Sequence, residues 1–172
     1  LLRLLRESGD ASGIVYCATR KGVEDVCTRL QAEGIAATRY HAGLSEDERR
    51  KNQEDFIFDR APVMVATNAF GMGIDKPDVR YVIHFNMPKN LESYYQEAGR
   101  AGRDGDPARC VLLYHGQDVQ LGRFLIARSN EEAELDDKTR GEVLEKELDR
   151  LRQMTFYSTT SRCLRQFLLR YF

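Results

Sequence analysis

Two arginines, Arg100 and Arg103, lie three residues apart, and each directly follows a glycine. An arginine side chain is always charged, and its planar fork of donors matches the oxygens of a phosphate. Glycine permits a positive φ and lets a ligand come close to the backbone. A single Gly-Arg pair would be most simply a surface turn. Two pairs, with Gln96 and Glu97 before them and Asp104 after them, favour a phosphate-binding site instead.

The elements that must position these arginines are short strands alternating with helices. A short apolar run typical of a strand buried on both faces occupies residues 13–17. Further strands are predicted at residues 35–40, 62–67, 81–85 and 110–114. A capping box at Ser45 and Glu48 begins a helix that ends near Phe58, and another helix spans residues 91–98. This alternation predicts an α/β fold with a mostly parallel central sheet.

The loops after the strands are expected to share one edge of the sheet, because ligands of parallel sheets gather at the carboxyl ends of the strands. The loop after the third run contains Thr67 and Asn68, followed by Gly73 and Asp75. The glycine would allow close approach to a phosphate or sugar, and Asp75 could accept a hydrogen bond from a ribose hydroxyl or an arginine. The same residues also make turns without a ligand, so this loop alone leaves both interpretations open.

Three further loops carry groups that suit a phosphate. Thr19 and Arg20 stand at a helix N-terminus, where anions bind readily, although plain N-capping explains them equally well. His41 could donate to a backbone phosphate, but a histidine without a ligand is the commoner case in such a loop. Lys89 could touch a phosphate or simply be solvated. His84, on an apolar strand, is interpreted as a satisfied core residue.

The sequence supplies arginines but no nucleotide cradle. It contains neither a Gly-x-x-x-x-Gly-Lys-Ser/Thr loop for phosphates nor an acidic run after a strand for magnesium. The arginines are therefore expected to act on a nucleotide that another domain holds. In such sites a supplied arginine can be worth ~10³–10⁵ in rate.

Composition limits the other possibilities. The formal net charge is −1, so contact with nucleic acid would depend on a local basic face. No apolar run approaches the ~20 residues of a membrane span, and the sequence contains no secretory signal. Both ends of the chain interrupt helical patterns, so the chain is interpreted as a fragment. Cys17, Cys27 and Cys110 are predicted to be small core residues.

Beyond Gly116 the pattern is helical. We place a domain boundary there, with an α/β domain in residues 1–116 and a helical appendage in residues 117–172. Thr159, Thr160 and Ser161 are predicted N-caps for the last helix.

Three segments resemble motifs of the second RecA-like domain of superfamily 2 helicases, and more narrowly of the RecQ DNA helicases. They are residues 14–20 for motif IV, 66–77 for motif V and 95–105 for motif VI. The resemblance implies a RecA-like three-layer fold and an ATP-dependent DNA helicase that unwinds DNA 3′ to 5′ in repair or recombination. It also implies ATP, Mg²⁺, single-stranded or duplex DNA and the first RecA-like domain of the same protein as partners.

The resemblance further implies roles for individual residues. Arg103 would be the arginine finger on the γ-phosphate, and Arg100 a second phosphate contact. The other implied nucleotide contacts are Gln96, Gly73 and Asp75. The implied contacts to the DNA strand are Thr19, Arg20, His41, Thr67, Asn68 and Lys89.

Residues 161–172 resemble the helix that opens the RecQ zinc-binding subdomain. There Cys163 would be the first of four Zn²⁺ ligands, with the other three beyond Phe172. A structural zinc site needs four ligands, so we expect this single cysteine to hold no zinc stably.

Two alternatives remain open at this point. One is an RNA helicase of the same superfamily, and the other is a non-catalytic module that binds nucleic acid or a protein. The chain alone is expected to hydrolyse no ATP, since half of the site would be missing. A cytoplasmic, nucleoid-associated location is expected, and a nuclear one is equally compatible with the sequence.

Overall fold

The computed structural model describes residues 1–70 and 76–172, which form two compact units. The first, called here the sheet unit, comprises Leu1–Asn86 and Gln96–Leu113. The second, called here the helical unit, comprises Met87–Tyr95 and Tyr114–Phe172. The chain therefore passes from one unit to the other close to Gly116, and it also contributes Met87–Tyr95 to the helical unit.

The sheet unit is built on five strands: β1 (Gly13–Tyr16), β2 (Ala37–Tyr40), β3 (Val63–Ala66), β4 (Tyr81–His84) and β5 (Arg109–Leu112). Their order is β2-β3-β1-β4-β5, and every neighbouring pair is parallel. The predicted parallel sheet is thus confirmed. The strands are shorter than the apolar runs, because residues such as Thr67 already belong to turns, where the Thr67 carbonyl accepts from the Phe70 N–H.

Helices cover both faces of this sheet. On one face, Val15, Val65 and Ile83 pack with α1 (Leu2–Ser8) and α2 (Arg20–Ala32). On the other face, Ile14, Met64 and Val82 pack with Phe56 of α3 (Glu46–Ile57). Apolar residues on both sides of every inner strand require this arrangement, since each face must be shielded from water. The expected three-layer fold is confirmed.

The helical unit contains the start of α4 (Leu91–Ala98), followed by α5 (Gly116–Glu131), α6 (Asp137–Thr159) and α7 (Leu164–Tyr171). Its buried residues include Ile126 of α5 and Leu151 and Met154 of α6. Aromatic rings extend this core, with Tyr157 lying 5.2 Å from the ring of Tyr94 and 5.5 Å from that of Phe167.

Two local predictions are wrong. The last helix is not capped at residues 159–161, because α6 continues through Thr159, whose hydroxyl donates to the Thr155 carbonyl. The N-cap of α7 is Cys163 instead. Cys110 is exposed rather than part of the core, because β5 lies at the edge of the sheet.

Candidate functional site

Four strands of the sheet unit end at the same edge. In the register, Tyr16 lies opposite both Ala66 and His84, and Tyr40 lies opposite Ala66. The loops that begin at Cys17, His41, Thr67 and Phe85 therefore start side by side, as the sequence predicts. We call this the carboxyl edge.

Thr19 and Arg20 begin α2 at the carboxyl edge. Thr19 is the N-cap, and its hydroxyl oxygen accepts the Gly22 N–H at 3.0 Å. The preceding loop is fastened to the end of β4, because the Ala18 N–H donates to Asn86 Oδ1 at 3.2 Å. Arg20 is exposed. This helix N-terminus thus combines partial positive charge with an exposed arginine as its first residue.

His41 is buried and held at both ring nitrogens. Its Nδ1 accepts the Gly43 N–H at 3.1 Å, so the proton lies on Nε2, which donates to Glu24 Oε1 at 2.8 Å. Arg39 pairs with the same carboxylate at 2.9 Å. His41 in this arrangement orients its own loop, and a phosphate would have to displace Glu24 to receive its Nε2 proton.

The loop after β3 is described only in part. Thr67 is buried, and its N–H donates to the Tyr40 carbonyl at 3.1 Å, while Asn68 is exposed. Gly73 and Asp75 lie outside the described residues.

Lys76, to which the sequence analysis assigns no role, is buried in the segment before β4. Its side chain is 4% exposed, and Nζ lies 2.9 Å from Asp59 Oδ1 and 3.1 Å from Asp78 Oδ1. Ser12, directly before β1, donates to the same Asp59 oxygen at 2.6 Å. These residues precede β1, β3 and β4, so the ion pair lies at the amino edge of the sheet. A lysine beside a proline in a polar loop gives little sign of such burial.

The two arginines differ in exposure. Arg100 is buried and Arg103 is exposed. The Arg100 N–H donates to the Glu97 carbonyl at 3.2 Å, and Arg103 Nε donates to the Gly99 carbonyl at 3.4 Å. The turn between them therefore follows directly from the last residues of α4.

Gly102 and Asp104 fix the chain just after this turn. Gly102 has a φ of 65°, its N–H donates to the Val79 carbonyl at 2.9 Å, and a Cβ there would lie 2.7 Å from the Asp106 carbonyl oxygen. Only glycine fits such a position without strain. Asp104 pairs with Arg80, whose hydrogen bond holds the pKa of that carboxyl below its ordinary value.

Arg100 belongs to a buried polar group with Tyr16, His84 and Glu97. His84 is buried, as predicted, and its Nε2 is hydrogen-bonded to Glu97 Oε2 at 2.9 Å. The Tyr16 and His84 rings are stacked at 5.5 Å. Gln96, by contrast, is exposed. The Glu97–His84 contact was missed from sequence; an acidic residue directly beside the arginine motif was its one signal.

Lys89 and Cys163 belong to the helical unit. Lys89 Nζ lies 3.9 Å from Glu147 Oε2, and Cys163 is exposed and makes no capping hydrogen bond with its side chain. Within residues 1–70 and 76–172, no three His, Cys, Asp or Glu side chains converge as a metal site would require. No helix in the described parts of the chain has the length and apolar composition to cross a membrane.

Residues 1–105 match the model of the helicase conserved C-terminal domain, and residues 116–172 match the RecQ zinc-binding model. The chain belongs to the helicase C-terminal domain family, and its type is RecQ.

Curated relatives agree with this assignment. The chain is 50% identical to the ATP-dependent DNA helicase RecQ of Bacillus subtilis over 94% of its own length and 26% of that protein. It is 44% identical to the ATP-dependent helicase wrn-1 of Caenorhabditis elegans over 92% of its length and 14% of that protein. A putative ATP-dependent RNA helicase of Acanthamoeba polyphaga mimivirus is 40% identical over 100% of the chain and 30% of that protein. The chain thus spans less than a third of these relatives.

Solved structures support the fold. A DEAD box protein from Methanococcus jannaschii superposes with a TM-score of 0.61 at 26% identity, covering 74% of this chain and 36% of that one. Dbp5 of S. cerevisiae bound to RNA and ADP BeF3 gives a TM-score of 0.60 at 23% identity, over 84% of this chain and 40% of that one.

The zinc-binding match gives Cys163 a context. A thiol at the exposed start of a helix is free to bind a metal, but the described residues offer it no companion ligands. A complete zinc site therefore does not fit the described residues alone.

Proposed function

We propose that this chain is the second motor domain of an ATP-dependent DNA helicase of RecQ type, supplying arginines to ATP held by the first motor domain. The single observation that supports this most strongly is the fixed Arg100–Arg103 turn. Its arginines follow a helix end held by buried hydrogen bonds, on a sheet whose sequence lacks a phosphate cradle.

In this proposal Arg103 is the arginine finger that meets the γ-phosphate, and Arg100 is a second phosphate contact. The exposure of Arg103 supports this assignment of roles, because an arginine finger must reach a nucleotide held on another domain. Gln96, Gly73 and Asp75 are proposed to complete the nucleotide contacts, with Asp75 at the ribose. Mg²⁺ would be held chiefly by the first domain and would neutralise charge on the phosphates.

The DNA strand is proposed to run along the carboxyl edge. Thr19, Arg20, Thr67 and Asn68 start or follow neighbouring strand ends there, which supports a row of phosphate contacts without sequence preference. His41 would shape its loop as much as contact the strand. Lys89 of the helical unit is proposed as a further contact. Alternate closing and opening of the two motor domains would then move the strand, in the 3′-to-5′ direction.

The test is ATP hydrolysis by the whole protein, with the first motor domain present and single-stranded DNA in excess. Arg103→Ala is expected to lower kcat by about 10³-fold or more while nucleotide affinity stays within a few-fold. Arg29→Ala is the matched control, because Arg29 is an exposed arginine of the same unit that pairs with Glu33 at 2.9 Å. Undiminished turnover in Arg103→Ala would remove the finger assignment. The purified chain alone is expected to hydrolyse no ATP.

A second candidate is an RNA helicase, which the mimivirus relative favours by its name at 40% identity. Phosphate contacts do not separate the two, because DNA and RNA share them. Comparing ATPase stimulation by DNA and RNA strands of equal length decides between them. Absence of any ATPase activity in the whole protein would instead indicate a non-catalytic binding module.

A further inference from the structure

Glu97 and His84 form a polar pair inside the sheet unit. His84 is 0% and Glu97 7% exposed, and the Nε2–Oε2 distance is 2.9 Å. Taking a carboxylate out of water is unfavourable unless hydrogen bonds replace its hydration. An apolar pair would fill the same space without this requirement, so the position calls for an explanation beyond packing.

The pair joins the end of β4 to the last turn of α4. His84 is the final residue of β4, and Glu97 is the penultimate residue of α4. The backbone carbonyl of Glu97 also accepts the Arg100 N–H at 3.2 Å. One residue therefore holds the sheet with its side chain and the first arginine of the motif with its backbone.

Tyr16 extends this connection to the neighbouring strand. Its ring stacks on His84 with an interplanar angle of 21°, and its hydroxyl donates to the Phe70 carbonyl at 3.3 Å. Burial raises the pKa of Tyr16, while the charge of Arg100 acts in the opposite direction, so the phenol and the guanidinium lie close together. The arginine turn and the loop after β3 are thus attached to the same buried group.

We propose that Glu97, oriented by His84, is a positioning residue that aims the Arg100–Arg103 turn at the nucleotide. The proposal rests on the function proposed above. A hydrogen bond depends on direction, whereas an apolar contact does not. The pair therefore restricts both the rotation of the end of α4 and its distance from the sheet. Displacing a catalytic group by about 1 Å can cost on the order of 10²-fold in rate.

Two variants of Glu97, made in the whole protein, distinguish the effect of side-chain length from the effect of charge. Glu97→Gln keeps an oxygen at the same distance to accept the His84 proton but loses the charge. Glu97→Asp keeps the charge but is one methylene shorter, so it falls short of His84. We expect Glu97→Gln to retain kcat within about threefold and Glu97→Asp to lose about 10- to 10²-fold. The KM for ATP and the Kd for a DNA strand should stay within about twofold in both.

Ser12→Ala is the matched control. It also removes a hydrogen bond from a buried side chain, Ser12 Oγ to Asp59 Oδ1 at 2.6 Å, but at the amino edge of the sheet. If Ser12→Ala lowers the melting temperature as much as Glu97→Asp does, a loss of stability alone would lower kcat equally in the two variants. Unchanged kcat in Ser12→Ala supports positioning.

A double variant tests whether Glu97 acts through Arg103. Arg103→Lys keeps a charge but lacks the planar fork, so accurate aiming matters less. The penalty of Glu97→Asp should then be at least about fivefold smaller beside Arg103→Lys than in the wild type. An equal penalty in both backgrounds, or an active Glu97→Asp with an inactive Glu97→Gln, would overturn the proposal. Full turnover in Arg103→Ala would instead overturn the finger assignment itself, so the two failures are distinguishable.

Discussion

Replacing Asp59 by alanine is expected to destabilise the sheet unit more than replacing Lys76 by methionine, although the two side chains form one ion pair. The Lys76 side chain is 4% exposed, whereas those of Asp59 and Asp78 are 58% and 53% exposed. The lysine has therefore lost its water, and the aspartates have kept most of theirs.

The exposed fractions of these side chains determine how much more stability Asp59→Ala loses than Lys76→Met. Removing one partner of a buried pair costs ~3–5 kcal/mol when the remaining charge has no compensation. Asp78 still pairs with Lys76 after Asp59→Ala, but the buried Ser12 hydroxyl also loses its acceptor, so we expect a loss of about 2–4 kcal/mol. In Lys76→Met both aspartates return to water, and the new side chain keeps the contact with the Phe56 ring, which Nζ reaches at 5.7 Å. That change should cost only about 0–1 kcal/mol.

Acid should reduce the stability difference between wild type and Asp59→Ala. The hydrogen bond from Ser12, and then that from Lys76, lowers the pKa of Asp59 below its ordinary value of 3.8. Because the pKa is lower in the folded state, the stabilisation from Asp59 is present above 3.8 and disappears as the pH falls through the folded value. The stability gap between wild type and Asp59→Ala should therefore narrow below pH 3.8.

Hydrogen exchange of the β1 and β3 amides provides the assay, because it reports opening of the sheet unit separately from the helical unit. Urea titrations followed by far-ultraviolet circular dichroism give the corresponding free energies. If Lys76→Met lost as much stability as Asp59→Ala, the asymmetric desolvation argument would be refuted.

Three further substitutions test the packing and capping assignments. Gly13→Ala should cost at least about 1–3 kcal/mol in urea unfolding, because its Cβ would lie 2.0 Å from the Tyr81 ring. Gly141→Ala, in the interior of α6 with no atom within 4 Å of the new Cβ, should instead raise stability by about 0.5–1 kcal/mol in the same titration. Asp136→Ala should cost about 1 kcal/mol and lower the helical circular dichroism signal, since Asp136 caps the Lys138 and Thr139 N–H groups of α6.

The parallel sheet was predictable because its inner strands β1, β3 and β4 are buried on both faces and so consist of apolar runs. What such runs do not reveal is where a strand stops, which depends on pairing with neighbours. The edge position of β5 likewise depends on strand order, and for this reason Cys110 was wrongly placed in the core. Thr159 illustrates a related limit, since its hydroxyl can cap a helix or bond back within one.

The candidate site was likewise predictable from the sequence only in part. Residues at strand ends were predictable, since parallel strands bring their following loops to one edge. The contacts of His41 with Glu24 and of Lys76 with Asp59 join residues 17 positions apart. Such pairings depend on how each helix packs on the sheet, which local spacing does not specify.

Arg100 and Arg103 differ in burial, and under the proposed function this difference indicates which of them suits a contact that forms and breaks in every cycle. A buried guanidinium has already exchanged water for protein partners, and moving it would expose those partners as well. Arg100 is 8% exposed and lies beside buried Tyr16, so it is suited to a fixed electrostatic role. Arg103 is exposed, and its Nε donates to the Gly99 carbonyl at 3.4 Å. Under the proposed function, this exposure lets the Arg103 guanidinium reach a phosphate held on another domain. The turn would then present one buried and one exposed charge to a nucleotide held by the first motor domain.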